Sequence, residues 1–200
     1  MGLGLLILRL VVGVTMALHG GQKLYGWYGG PGLEGTTGWL GSMGFRPARF
    51  HATLTGIAES VGGIFLAIGL FTPFAAAAII GVMLVAIATV HWANGFFNTA
   101  GGYEFNLLIV ATSAALAFTG AGRISFDHAL GMDMRGIVWG LAALALACTA
   151  AALTLFSRQQ SVATTDEVIA TDEAIVLDDP EAAEDTEVIV LSEESSRLEV

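Results

Sequence analysis

Charge is what this chain has least of. Asp, Glu, Lys and Arg make up 13% of its 200 residues, against about 25% in ordinary soluble domains. With 54% hydrophobic residues and a mean hydropathy of +0.71, the composition is that of a membrane protein and not of a water-soluble enzyme domain. There is one cysteine, Cys148, so no intrachain disulfide can form, and its apolar surroundings read as those of a small buried residue. Haem, flavin and iron–sulfur motifs are missing too, so electron transfer by this chain would need a bound organic cofactor. The few charges are unevenly placed. Residues 1–157 hold six Lys or Arg and five Asp or Glu, whereas residues 158–200 hold two basic and thirteen acidic residues. The formal charge of −10 therefore describes the tail and says nothing of what the body binds. Nucleic acid is not an expected partner; the lipid bilayer is.

What is there in quantity is long apolar runs. At about 1.5 Å per residue and a hydrocarbon core of about 30 Å, five segments are read as spans. They are Gly2–Leu18, Ala48–Leu70, Phe74–Trp92, Tyr103–Phe118 and Ile137–Phe156. The first is interrupted by Arg9 and lacks a small-x-small cleavage site, so it reads as a retained helix and not as a secretory signal. Between the first two spans lies a glycine-rich loop, Gly20–Gly44, whose Trp27, Tyr28 and Trp39 read as interface aromatics. Three divisions are expected: a four-helix membrane bundle over 1–130, a further transmembrane helix within 131–157, and a disordered acidic tail over 158–200. Calling the C-terminal end of the first helix side A, the basic residues on that side are Lys23, Arg46, Arg49 and Arg158, against Arg123 and Arg135 on side B. The positive-inside rule then puts the N-terminus outside and the tail inside.

Polar residues inside such spans are the candidates for function. An arginine at the centre of a membrane helix costs about 2.5–3.5 kcal/mol on insertion scales, so Arg9 needs a partner. Glu59 is the obvious one. Counted from His19, Arg9 lies about 15 Å along its helix, and Glu59 lies about 18 Å beyond Pro47 along its own. These comparable depths predict an Arg9–Glu59 ion pair. The faces agree, because Arg9 shares a stripe with Gly13, Met16 and Gly20, and Glu59 with Gly56, Gly62 and Gly63. His19, Lys23, His91 and Glu104 should gather at the side-A mouth above the pair, forming a polar shaft. The pair reads either as a structural lock on helix register or as a ligand-binding or proton-relay site. The histidines read as interface hydrogen-bonders or as contacts to a quinone carbonyl. Lys23 reads as a snorkelling interface lysine or as a ligand anchor. Trp92 reads as an interface residue or as one flanking a quinone ring. No metal is expected, since none of these residues has a ligand spacing such as His-x-x-x-His. Gly120-Ala121-Gly122-Arg123 reads as a helix stop with turn chemistry after it, not as a phosphate loop.

Four separated stretches carry a family resemblance: LRLVVGVTMALHGGQKLYGWYGGPGLEGTTGWLGSMGF, GIAESVGGIFLAIGLFTP, MLVAIATVHWANGFFNTAGGYEFNLL and GAGRISFD. Together, over residues 5–128, they resemble the DoxX family of small bacterial membrane proteins. Ala121 stands where that family usually has proline, and Phe126 where leucine is common. The resemblance implies a four-helix membrane bundle in the bacterial inner membrane. It also implies redox or sulfur-stress roles, through the similarity to the DoxD component of thiosulfate:quinone oxidoreductase and to a mycobacterial relative associated with superoxide dismutase and a sulfurtransferase. The expected function is a redox-associated multi-pass protein that holds a quinone or small anion and supports soluble or membrane oxidoreductases. A non-enzymatic scaffold and a small transporter or proton pathway are the alternatives, and homo-oligomerisation is left open.

Overall fold

Hydrophobic residues alternate with small ones along the apolar runs, and the helices they form pack through the small faces. The computed structural model describes residues 2–158. Helix α1 spans Gly2–Tyr25, α2 Gly32–Ser42, α3 Ala48–Ile68 and α4 Thr72–Ala86. A π-helical turn over Ile87–His91 and a 3-10 turn over Trp92–Asn94 continue α4. Helix α5 spans Glu104–Thr119, the short α6 Phe126–Ala129, and α7 Ile137–Phe156. Among the described residues there is no strand, only an isolated bridge between Phe45 and Arg158. Four helical stretches are long and apolar enough to cross a membrane: Gly2–Tyr25, Ala48–Ile68, Thr72–Asn94 and Ile137–Phe156. Helix α5, with 16 residues, is the shorter fifth at about 24 Å. The chain is an all-α membrane protein. The acidic tail from residue 159 onward, expected to be disordered, lies outside the described residues.

Helices α1 and α3 form the closest pair. A Cβ placed on Gly13 would lie 2.5 Å from the Gly63 carbonyl oxygen, and one on Gly63 would lie equally close to that of Gly13. Gly20 meets the backbone of Gly56 and Ser60 in the same way. Glycine is what lets these backbones approach. Gly62 turns instead toward Ala75, Ala78 and Ile79 of α4. The core continues through Met16, Leu66, Ala76, Ile79, Ile80, Leu116 and Ala147, which joins α1, α3, α4, α5 and α7. Leu3, Ile7, Val11, Val14 and Leu18 cover the outer face of α1 and are exposed, as a lipid-facing stripe would be.

The structure departs from the sequence expectation at three places. Helix α1 runs to Tyr25 because Gly20 and Gly21 are packing positions, against α3 and the Trp27 ring, and not a stop. The loop after it contains α2, which buries Thr36 and Leu40 on one face. Cys148 is exposed on the outer face of α7 and is not a core residue.

Candidate functional site

The ion pair at the centre of α3 joins Glu59 to Lys23. Glu59 is the twelfth residue of α3, about 17 Å from its start, and is 1% exposed. Lys23 Nζ lies 2.6 Å from Glu59 Oε1. The lysine is in the last turn of α1 and turns its ammonium inward, between helices. The Thr36 hydroxyl of α2 is shared between the Gly32 carbonyl at 2.8 Å and the Lys23 carbonyl at 3.1 Å, which ties that turn to α2. The second carboxylate oxygen, Oε2, is buried and without a hydrogen-bond partner among the described residues.

The expected Arg9–Glu59 pair is therefore a correction. With α1 continuing to Tyr25, Arg9 lies about 24 Å from the side-A end of its helix, well past the depth of Glu59. Arg9 is fully buried near side B and donates through Nη2 to the Ile124 carbonyl. Nε and Nη1 have no hydrogen-bond partner among the described residues, and Asp127 attracts the guanidinium only through space. Asp127 accepts from the Phe71 and Thr72 amides at 2.7 and 3.1 Å and from the Thr72 hydroxyl at 2.7 Å. It thereby caps the N-terminus of α4 from another segment, where a helix has unpaired amides and favours negative charge. Gly69, at φ +69°, leaves room for the guanidinium, which a Cβ there would strike. The polar shaft is thus two separate sites, Lys23–Glu59 toward side A and Arg9–Ile124–Asp127 toward side B.

The other expected mouth residues fasten loops. His91 Nδ1 lies 2.7 Å from the Gly101 carbonyl, and Glu104 accepts from the Asn98 amide at 3.0 Å. Both bonds fold the 95–103 connection on side A. Trp92 stacks on Tyr103 with centroids 5.5 Å apart. His19 is exposed on α1. No three His, Cys, Asp or Glu side chains converge among the described residues. At 120–128, Gly120 ends α5 at φ +76° and Ser125 caps α6 by accepting from the His128 amide, which is the helix stop and turn read from the sequence.

Beside the Lys23–Glu59 pair is a cavity of about 260 Å³. Its walls are mostly apolar residues of α3, α4 and α7, with Trp39 and Leu40 of α2 and Met43 just after it. Its polar lining comes from Lys23, His51, Thr55, Thr89 and Thr154. The π turn contributes Thr89 and Val90 to this wall, and such turns recur at functional positions. Trp39 and Leu54 line it while remaining half exposed, so its wall reaches the outer surface. A larger cavity, about 430 Å³, lies in the side-B loop. Its charges, Arg123 and Arg135 against Asp127 and Asp133, largely cancel, and it is remote from the buried ion pair. Sequence reasoning missed His51 and Asp127. His51 was legible, since it shares a helix face with Thr55 and Glu59 at i+4 and i+8.

Comparison with known proteins agrees with this membrane architecture. The DoxX family profile matches residues 4–92, from α1 to just past the π turn. The chain is 31% identical over 125 residues to "Putative oxidoreductase CatD" of Bacillus subtilis, covering 62% of this chain and 85% of that protein. It is 35% identical over 130 residues to an uncharacterised protein of Haemophilus influenzae, covering 62% of this chain and 88% of that one. No solved structure matches it significantly. The matched region holds Arg9, Lys23, Glu59 and the elements that carry them, and the chain belongs to the DoxX family.

Proposed function

We propose that this chain is the membrane subunit of a redox system in the bacterial inner membrane, and that its side-A cavity takes the ring of a quinone. One observation carries the reading: an ion pair between Lys23 and the buried Glu59, whose lysine also lines an apolar cavity that reaches the outer surface. Ligand sites are mostly apolar with a few placed polar groups, and the lower end of their size range is about 300 Å³. A cavity of about 260 Å³ fits a ring with its tail left in the lipid. The relative named as an oxidoreductase supports the redox assignment.

The residues would act as follows. Trp39, Val82 and Val85 give the ring an apolar bed and keep water out. Lys23 has N–H donors beyond the one given to Glu59, and offers one to a ligand oxygen. Glu59 holds the ammonium in place through Oε1, and its buried Oε2 remains free to accept a hydrogen bond. A bound quinone would supply two-electron, two-proton chemistry between partner oxidoreductases. Arg9 is assigned to holding the side-B loop, and His91 and Glu104 to holding the side-A loop.

The test is binding of decylubiquinone to the full chain in nanodiscs, followed by quenching of tryptophan fluorescence. Binding that Lys23→Met weakens at least about tenfold, the scale of a charge-assisted hydrogen bond, supports the reading. No saturable binding, with soluble redox proteins still captured, would point to the scaffold. Solute flux in liposomes containing this chain alone would point to transport.

A further inference from the structure

The cavity has a second polar residue whose bonding state can be worked out. His51, in the first turns of α3, lines the cavity and is 6% exposed. Its ring lies between Phe45 and Phe50, each with its centroid 5.4 Å away. Nε2 lies 3.1 Å from the Ser157 hydroxyl oxygen. That hydroxyl donates to the Thr154 carbonyl at 2.7 Å. A serine has a single hydroxyl proton, so with that proton committed to Thr154 its oxygen must accept from His51. Nε2 therefore carries the hydrogen, and in the neutral ring Nδ1 is a bare acceptor. Nδ1 is buried and has no partner among the described residues. The flanking phenylalanines offer no donor, and His51 forms part of the cavity wall, so a small turn of its ring would bring Nδ1 to a donor held there. An unpaired buried acceptor is costly and is normally met by a ligand or water.

We propose that His51 Nδ1 accepts a hydrogen bond from a hydroxyl on the ligand ring, so that the cavity prefers the hydroquinone to an analogue without that hydroxyl. This rests on the reading of the cavity as a quinone site. The lining then has two complementary polar groups: Lys23 donates to an oxygen acceptor, and His51 accepts from an O–H. Ser157 is the positioning residue that fixes the tautomer. The end of α7 is held for that purpose by a second bond, from Arg158 Nε to the Met43 carbonyl at 2.6 Å.

The experiment compares decylubiquinol with its dimethyl ether on the full chain in nanodiscs, without oxygen. Wild type should bind the quinol about tenfold more tightly, the scale of one buried hydrogen bond. His51→Phe should bring the quinol affinity down to that of the ether and leave the ether unchanged. Should that variant misfold, the ¹⁵N resonance of His51 Nδ1 in the wild type gives the answer. It should move upfield, toward a hydrogen-bonded nitrogen, on adding quinol and stay in place on adding ether. Equal wild-type affinity for both compounds, or a resonance that ignores the quinol, would overturn the role of His51 while leaving the cavity as a quinone site. Failure of both compounds and of decylubiquinone to bind would overturn the site itself.

Discussion

Lys23 turns its ammonium toward the membrane interior, against the habit of lysines near helix ends, which extend toward water. The carboxylate of Glu59 is what draws it in. Removing Lys23 leaves the Glu59 carboxylate buried and unpaired, which costs about 3–5 kcal/mol, whereas removing Glu59 leaves a lysine that is 24% exposed and costs less. Lys23→Met should therefore lower stability in detergent by that amount, measured by thermal or denaturant unfolding. Adding Glu59→Gln to it should restore most of the loss, because the orphaned charge disappears. The same cycle with Arg9→Met and Glu59→Gln should be additive, since those residues belong to different sites. Arg9→Met should instead loosen side B, losing about 1.5–3 kcal/mol of charge-assisted bonding, with faster proteolysis within residues 120–136 as the readout. The sequence made it legible that Arg9 and Glu59 each need a polar partner. It did not reveal which one, because Arg9 bonds a main-chain carbonyl, a group that every residue possesses.

At the scale of elements, the small-residue stripes were the readable part. Gly13, Gly20, Gly56 and Gly63 sit where α1 and α3 touch, as their spacing predicted. A methyl at Gly63 would press on the Gly13 carbonyl and the Ala17 amide, both backbone atoms that cannot rotate away. Gly63→Ala should then separate the helices at a cost of about 1–3 kcal/mol, the usual penalty of overpacking. Gly4→Ala, on the open face of α1, is the matched control and should be neutral or stabilising by up to about 1 kcal/mol. Unfolding midpoints of the two variants measure the contrast. Helix ends were less readable than helix faces. Gly20-Gly21 resembles a stop signal, and only the neighbouring α3 makes those positions helical packing sites. Helix α2 was hidden by its glycines, although Leu33, Thr36 and Leu40 already have helical spacing. The π turn after α4 left no signal in the spacing of its residues.

For the whole molecule, the path of the chain decides from which side the cavity is served. Helix α1 ends on side A, α3 starts there, α4 returns there, and α7 finishes there with Ser157 and Arg158 bonded to the start of α3 and the segment before it. A path of five crossings would place residues 28 and 123 on opposite faces. The excess of Lys and Arg on side A predicts that side in the cytoplasm. The check uses Cys148→Ser to remove the exposed native thiol, then Tyr28→Cys or Arg123→Cys, with a maleimide that does not cross membranes. Arg123→Cys should be labelled on intact cells, and Tyr28→Cys only after permeabilisation. Labelling of both from outside would break the five-span path, whereas the reverse pattern would keep the path and invert the protein. The consequence reaches the site: with side A inside, any redox partner would dock from the cytoplasm among Trp39, Met43 and the end of α7, where the cavity wall comes nearest that face.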